Sequence, residues 1–257
     1  MIIRDVEVRN VQEVARGIFV LSFVSLELSG STLPGQFINV LVQKGHEPLL
    51  RRPFSVYRVE EETVEIIFNV VGKGTVLLAA KKRGDIINIL GPLGIPFGTG
   101  GSFRNAILIA GGLGIAPMPI LAEHLRKNGK HIEVFAGARS GDQLALDHLE
   151  NTHIATDDGS RGYHGTVVAL AEQYLREHPL SEAKIFACGP IRMLAAVSAY
   201  AESVTIPCEL SLEGEMACGI GICQGCPVER LDGATRYALV CTEGPTFDST
   251  TIILRGA

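Results

Sequence analysis

The sequence predicts an α+β multidomain protein built from three modules, and three observations support this. Short runs of β-branched and aromatic residues between turn signals fill the first hundred residues, which indicates a small antiparallel β-barrel. From residue 105 onward, strand-like and helix-like segments alternate, which is typical of a doubly wound parallel α/β sheet. The tail carries a cluster of cysteines. We place the modules at residues 1–98, 99–206 and 207–257.

Composition excludes several classes of protein. With 46% hydrophobic and 20% charged residues among 257, the chain is globular rather than disordered. The net charge is −5 and no run of basic residues is longer than residues 81–83, so the sequence predicts no basic surface for binding nucleic acid. Residues 86–103 and 105–122 lack charges over a length that raises the question of a membrane span. Glycines and prolines interrupt both, so we interpret them as strand–loop–helix pieces.

The first ten residues lack the apolar core of a signal peptide. Together with cysteines of the reactive type, this predicts a reducing, cytoplasmic location.

The barrel strands are predicted over residues 18–24, 36–43, 54–60 and 63–71, where β-branched and aromatic residues are dense. Only residues 75–82 in this module have a helical pattern. In the second module we predict strands and helices in alternation. The strands cover residues 105–112, 131–138, 153–158 and 184–189, and the helices cover 115–129, a short segment around 143–150, 166–177 and 191–202.

The cysteines of the tail have the spacing of an iron–sulfur site. Cys218, Cys223 and Cys226 form C-x4-C-x2-C, and Cys241 follows after fourteen residues. This is the plant-type ferredoxin arrangement for a [2Fe–2S] cluster. Two iron atoms each need two thiolates, so three sulfurs come from one glycine-rich loop and the fourth from elsewhere. The spacing therefore predicts a small C-terminal [2Fe–2S] domain.

Two other uses of these cysteines remain open from the residues alone. A structural zinc site would normally show two C-x2-C pairs or a mixture of Cys and His, whereas this tail has one such pair and no histidine after His178. A disulfide framework is not needed by a chain of this length. Cys208 lies outside the pattern in an apolar run, and we expect it to pack in the core.

Two motifs in the barrel suit a flavin nucleotide. The run Arg52-Pro53-Phe54-Ser55 offers a cation for a pyrophosphate, an aromatic ring for stacking and a hydroxyl for a ring nitrogen, although an ordinary strand could also contain it. The run Gly72–Thr75, GKGT, precedes a predicted helix and could hold phosphate or simply form a capped turn. Since both occur in one barrel, a flavin nucleotide is the better explanation.

Two motifs in the second module suit a nicotinamide dinucleotide. The run GGLGIAP at 111–117 follows a strand and opens a helix, but it departs from G-x-G-x-x-G, and no acidic residue follows the second strand. The run CGP at 188–190 ends a later strand, at the edge where such sheets bind ligands. Cys188 could equally be a small buried residue. The candidate nicotinamide-binding residues are Gly111, Gly112, Gly114, Cys188, Gly189 and Pro190.

The same module leaves the choice between NAD and NADP open. Arg139-Ser140 could bind a 2′-phosphate, whereas Asp157 and Asp158 would repel it.

The motifs RPFS, GKGT, GGLGIAP and CGP, in that order, resemble the ferredoxin–NADP reductase superfamily, which pairs a flavin-binding barrel with a nicotinamide-binding α/β domain. With ACGIGICQGC and the later CTEGPTF, essentially the whole chain resembles the electron-transfer subunits of type B dihydroorotate dehydrogenases. The resemblance implies FAD and NAD as cofactors. It also implies an FMN-bearing catalytic subunit as partner, in a heterotetramer of two of each that serves pyrimidine synthesis.

The resemblance further implies roles for individual residues. Arg52 would contact the FAD phosphates, Phe54 would lie near the isoalloxazine and Ser55 would bond the flavin ring. The other implied FAD-binding residues are Pro53, Ile67, Phe68, Asn69, Gly74 and Thr75. No side chain of this subunit is expected to act as a general acid or base. One departure is Glu215, where related sequences often carry a basic residue.

Two rival functions share these features. One is a sister subunit with the same modules that serves a sulfur reductase, a hydrogenase or a flavin-based bifurcating enzyme. The other is a non-catalytic binding protein with a zinc knuckle on a reductase scaffold.

Overall fold

A closed antiparallel barrel forms the N-terminal module in the computed structural model of the chain, which describes residues 1–45, 47–231, 233 and 235–254. Its strands are β1 Ile2–Ala15, β2 Ile18–Val24, β3 Phe37–Leu41, β4 Arg52–Glu60, β5 Thr63–Asn69 and β6 Ile86–Leu93. Around the barrel they follow the order β1-β2-β5-β4-β3-β6. Two short helices, α1 Leu26–Ser29 and α2 Lys73–Ala79, accompany them.

The barrel contains two strands beyond the four predicted for it: β1, which the sequence patterns did not indicate, and β6, the strand of the predicted strand–loop–helix piece at 86–103. They pair with each other and close the barrel. Strand β6 occupies the first part of the stretch 86–103, and residues 94–103 contain no helix, so the predicted strand–loop–helix piece is wrong there. In β1 only Val6 and Val8 are buried, since most of its other side chains are charged or polar and face outward.

The central module is a seven-stranded sheet with helices on both faces. Its strands begin with β7 Asn105–Gly111, β8 His131–Ala138, β9 Thr152–Thr156, β10 Tyr163–His164 and β11 Ala183–Cys188. Two further strands, β12 Cys208–Ser211 and β15 Thr246–Asp248, complete it. The order is β10-β9-β8-β7-β11-β12-β15, and only β15 runs antiparallel to its neighbour. The predicted parallel, doubly wound sheet is confirmed.

Alternate residues of β7 point to opposite faces of the sheet, as strand geometry requires. Ile107 and Ile109 face the core that contains helices α4 Val167–Glu177 and α5 Ile191–Ser203. Leu108 packs on the other face with helix α3 Met118–Lys127. Because both faces are covered, the strand is continuously apolar, which is why the sequence showed it clearly.

The predicted helix around residues 143–150 is wrong. The structure has a 3₁₀ turn at Gly141–Gln143 followed by irregular chain. His148 has a φ of 66°, a left-handed conformation that an α-helix cannot contain. The Tyr57 hydroxyl of the barrel donates to the Asp147 carbonyl at 2.9 Å, so tertiary contacts hold this segment in place.

The C-terminal residues form a small second sheet and also enter the central one. Strands β13 Pro227–Arg230, β14 Tyr237–Leu239 and β16 Ile252–Ile253 pair in the order β14-β13-β16. Since β12 and β15 lie in the central sheet, the cysteine loop between β12 and β13 is anchored to the α/β module at its root. The module boundary after residue 206 remains a prediction. Among the described residues, no helix has the length and apolar character needed to cross a membrane.

Candidate functional site

A cavity of about 400 Å³ lies where the barrel, the α/β module and the cysteine-bearing tail meet. Strand β4 and the end of β5 supply one wall, and eight of the nine predicted flavin-binding residues line it. These are Arg52, Pro53, Phe54, Ser55, Ile67, Phe68, Asn69 and Thr75. The sequence motifs that are separate in the chain therefore converge on one cavity.

The ninth residue, Gly74, lies beside the Arg52 guanidinium. A β-carbon at position 74 would come within 3.2 Å of Arg52 Nε, so glycine gives the arginine room. The Thr75 hydroxyl accepts the backbone N–H groups of Val71 at 2.9 Å and Gly72 at 3.1 Å. This bonding fixes the start of α2 next to a permanent cation. A cation and a helix start at one mouth of a cavity suit a phosphate group.

Aromatic and apolar groups form the interior of this cavity. The Phe54 and Phe68 rings are 5.6 Å apart between centroids and tilted by 56°. Both are almost fully buried, so their positions are set by packing in the barrel core. Ser55 lies next to Phe54 on β4 and supplies a hydroxyl. Such a surface suits a flat aromatic ligand with polar edges.

No sequence pattern indicated that Glu213 and several other residues would line this cavity. The remaining lining residues come from all three modules: Phe37, Val71, Leu113, Ala116, Cys188, Ser211, Leu212, Glu213, Gly214, Met216 and Pro245. In the described part of the chain, the Glu213 carboxylate has no hydrogen-bond or ion-pair partner. Its side chain is open to the cavity but surrounded by protein, and this desolvation raises its pKa.

Cys188, one of the candidate nicotinamide-binding residues, lines the first cavity. Burial, and then the nearby Glu213 carboxylate, raise the pKa of its thiol far above the ordinary value. A thiol in this state stays protonated at neutral pH. Cys188 therefore offers the cavity a small neutral group rather than a thiolate.

A second cavity, of about 580 Å³, lies at the carboxyl ends of the parallel strands, between the α/β module and the barrel. Of the candidate nicotinamide-binding residues, Gly111, Gly112 and Pro190 line it. Parallel sheets bind dinucleotides at this edge. Arg139 and Asp157 also line the cavity, whereas Asp158 does not, because its carboxylate accepts both the N–H and the hydroxyl of Ser160.

The other two candidate glycines have packing roles. A β-carbon on Gly114 would lie 2.1 Å from the Cys188 carbonyl oxygen, so the glycine turn and the end of β11 touch through their backbones. Gly189 has a φ of 155° and lies against the backbone of Gly111. These two glycines shape the floor between the cavities and line neither of them.

The four motif cysteines form two pairs. The side chain of Cys218 lies within hydrogen-bonding reach of that of Cys223, and the side chain of Cys241 has the same relation to Cys226. The Cys218 sulfur also accepts the N–H groups of Cys223 at 3.3 Å and Ile220 at 3.5 Å. Desolvation alone would raise the pKa of Cys218, but these N–H donors outweigh it and lower the pKa to about 7. Burial raises the pKa of Cys241 to about 11, and the adjacent Cys226 adds to the rise.

The arrangement of the cysteines in two pairs is suited to a two-iron cluster. Two cysteine pairs with N–H donors directed at sulfur match a [2Fe–2S] cluster, in which each iron takes two thiolates.

The fold and these three sites define an electron-transfer flavoprotein of the ferredoxin-reductase type with an added iron–sulfur segment. Two family profiles match the chain: the iron–sulfur cluster binding domain of dihydroorotate dehydrogenase B over residues 213–253, and the oxidoreductase NAD-binding domain over residues 108–199. The chain is 34% identical to the dihydroorotate dehydrogenase B (NAD(+)) electron transfer subunit of Desulforamulus reducens, with 97% of both chains covered. It is 36% identical to the subunit of that name from Bacillus caldolyticus, over 86% of this chain and 87% of the other. The chain belongs to the family of dihydroorotate dehydrogenase B electron transfer subunits.

Solved structures agree with this fold. The NADH-dependent reduced ferredoxin–NADP oxidoreductase, described in relation to flavin-based electron bifurcation, superposes with a TM-score of 0.84 at 28% identity, covering 97% of this chain and 90% of the other. Phthalate dioxygenase reductase, described as a modular structure for electron transfer from pyridine nucleotides to [2Fe–2S], superposes with a TM-score of 0.63 at 17% identity, covering 90% and 87%.

Proposed function

We propose that this chain carries electrons from an FMN-containing dihydroorotate dehydrogenase catalytic subunit to NAD⁺ in pyrimidine biosynthesis. The observation that carries the proposal is the adjacency of the three sites. Asn69, Val71 and Leu113 line both cavities, and Met216 of the cysteine loop lines the first. A flavin in the first cavity would thus border both a nicotinamide in the second and a cluster on the loop.

The residues of the first cavity would hold FAD. Arg52 and the start of α2 at Gly74 and Thr75 would bind its pyrophosphate, and Phe54 and Ser55 would place the isoalloxazine. Cys218, Cys223, Cys226 and Cys241 would hold a [2Fe–2S] cluster. When bound, these groups join the one-electron chemistry of a cluster to the two-electron chemistry of a nicotinamide.

The chain's own task is to position and tune these groups. The close contact of Gly114 with the Cys188 carbonyl brings the two cavities close, because it leaves no room for a side chain at position 114. The N–H groups directed at the Cys218 sulfur favour its thiolate, the form that binds iron. Cys188 stays neutral beside the flavin position. No proton transfer by a side chain of this chain is needed to move electrons.

The relatives are named electron transfer subunits, which implies a catalytic partner. We propose that this partner is the FMN-containing catalytic subunit, in a heterotetramer of two of each, and that the complex works in the cytoplasm. Exposed Ile222 and half-buried Cys218 leave the cysteine loop accessible to such a partner.

The rival functions have less support. A subunit of a sulfur reductase, a hydrogenase or a bifurcating complex would share the modules, and the bifurcation-related structure is similar in fold at 28% identity. The relatives at 34% and 36% identity are all dihydroorotate dehydrogenase subunits by name. A zinc-bearing binding protein fits neither the cysteine pairs nor the family.

An anaerobic absorption spectrum tests the proposal. The purified chain should show flavin bands and a broad cluster absorbance, and NADH should bleach both. Co-purified with the catalytic subunit, it should couple dihydroorotate oxidation to NADH formation. A protein that stays colourless after cofactor reconstitution would contradict the electron-transfer function, and a loaded complex that cannot form NADH from dihydroorotate would contradict the choice of partner.

A further inference from the structure

Asn39 connects the flavin-binding barrel to the cysteine loop. It lies in β3, opposite Pro53 of the flavin motif and Leu90 of β6, and its exposed fraction is 1%. A buried asparagine in a barrel of mostly apolar strands is unusual unless its amide is used. Its position places the amide between the candidate flavin site and the candidate cluster site.

The Asn39 amide contacts the loop at the first cluster cysteine. Its Nδ2 donates to the Cys218 carbonyl oxygen at 2.9 Å. Since a carbonyl can only accept, the amide nitrogen must face it. The next residue, Gly219, packs on the same amide, and a β-carbon there would lie 2.1 Å from Asn39 Nδ2. Gly219 also has a φ of 70°, so both space and backbone conformation require glycine.

Burial of the Asn39 amide is energetically unfavourable, which indicates that its contact with the Cys218–Gly219 peptide is specific. Asn39 Oδ1 is buried and has no hydrogen-bond donor among the described atoms. An unpaired buried acceptor destabilises the folded state, and an isosteric leucine would avoid that cost. The strand backbone at this point is also held, because Arg51 Nη1 donates to the Asn39 carbonyl at 3.3 Å. The structure therefore keeps a costly polar group rigid against the Cys218–Gly219 peptide.

We propose that Asn39 is a positioning residue that sets the reduction potential of the cluster; this rests on the proposed cluster site. Holding the Cys218 carbonyl fixes the loop in which the Cys218 sulfur accepts N–H groups from Ile220 and Cys223. Hydrogen bonds to cysteine sulfur raise the potential of a cluster, because they stabilise the added negative charge. Without Asn39 the peptide is free to turn, the N–H···S bonds weaken and the cluster becomes harder to reduce.

The test is an EPR-monitored redox titration of the anaerobically purified, cofactor-loaded protein with the variant Asn39→Leu. We expect FAD content to be unchanged and the equilibrium constant for cluster reduction to fall about tenfold, which is about 59 mV for a one-electron centre. Loss of iron with FAD retained would mean that Asn39 is needed to retain the cluster rather than to set its potential, and would also overturn the proposal. Full iron content with an unchanged potential would overturn it.

Two further variants complete the design. Asn105→Ala, in β7, removes an amide that likewise donates to a backbone carbonyl, that of Ser181, and contacts neither Asn39 nor the cysteine loop, so the cluster potential should be unchanged. If Asn39→Leu binds no FAD and so fails to fold, Gly219→Ala displaces the same amide from the loop side. It should lower the potential, and no change there would overturn the proposal. A wild-type protein that holds no cluster would instead refute the proposed function itself.

Discussion

The α-carbon of Gly114 packs on the carbonyl group of Cys188, where a β-carbon would be only 2.1 Å from the oxygen and 2.3 Å from the carbon. The glycine turn after β7 and the CGP segment after β11 thus form one continuous floor. Both lie at the carboxyl ends of neighbouring parallel strands. This contact brings the first cavity, which Cys188 lines, next to the second, which Gly112 lines.

Gly114→Ala should separate these two segments. The methyl group meets backbone, which cannot rotate away, and overpacking of this kind costs about 1–3 kcal/mol. We expect the Kd for NADH to rise at least about tenfold, with FAD still bound. Calorimetric titration of NADH into the flavin-loaded protein measures this. Gly100→Ala is the matched control, because nothing lies within 4 Å of its β-carbon, and it should leave NADH binding unchanged. Normal NADH binding by Gly114→Ala would contradict the expectation that the contact between Gly114 and Cys188 shapes the nicotinamide site.

Asp157 should determine the preference for NAD over NADP. Its neighbour Arg139 also lines the second cavity and could bind a 2′-phosphate if the carboxylate were absent. We expect Asp157→Asn to raise kcat/KM for NADPH relative to NADH about tenfold, since a like-charge repulsion is removed. NAD(P)H-driven reduction of ferricyanide measures it.

Asp158→Asn provides the comparison for this prediction. Asp158 is adjacent in sequence and equally acidic, but its carboxylate is bonded to Ser160 and does not line the cavity. The nucleotide preference should therefore not change. Equal effects of the two substitutions would show that overall charge, rather than the position of Asp157, governs the choice.

Substitution of one motif cysteine should remove the absorbance of the cluster but leave that of the flavin. Cys223 is exposed and pairs with Cys218, so Cys223→Ser should abolish the cluster absorbance and the bound iron while FAD remains. Cys208 lies in β12 of the central sheet, outside the cysteine motif, and its side chain is buried in the core. Cys208→Ala should keep full iron content. Analysis of bound iron and sulfide, together with the flavin spectrum, measures these outcomes. Loss of iron from both variants would indicate that the substitutions disturb the structure rather than remove a ligand.

The sequence predicted the fold correctly where a strand is apolar on both faces, or where the residues of a motif lie close together in the chain. Strand β7 is an example of the first kind, and the cysteine spacing that predicted the iron–sulfur domain is an example of the second. It failed at β1, where charged and polar side chains interrupt the apolar ones and the pairing is decided by the barrel. It failed again at residues 143–150, where the Tyr57–Asp147 bond between modules overrides a helical pattern. Glu213 lines the first cavity only because three modules meet there, and no local pattern could have shown it.

Glu65 should make the stability of the barrel depend on pH. It lies in β5 with Oε2 buried and unpaired among the described atoms. Burial raises its pKa above the ordinary 4.5, although Arg58 and His148 partly oppose the rise. The folded state therefore holds its proton more tightly than the unfolded state. Below pH 4.5 both states are protonated and nothing is lost; as the pH rises through the folded pKa, the buried charge destabilises the fold.

Glu65→Gln removes this charge and should stabilise the protein at pH 7 by about 1 kcal/mol, or about 2–4 °C in Tm, but not at pH 4. Thermal unfolding followed by circular dichroism at both pH values measures the difference. Glu7→Gln, on the exposed side of β1, changes the net charge equally and should shift Tm little at either pH. A gain for Glu65→Gln that is the same at pH 4 and pH 7 would mean that packing, rather than the ionised carboxylate, limits stability here. The pH dependence distinguishes the two causes because only ionisation disappears in acid.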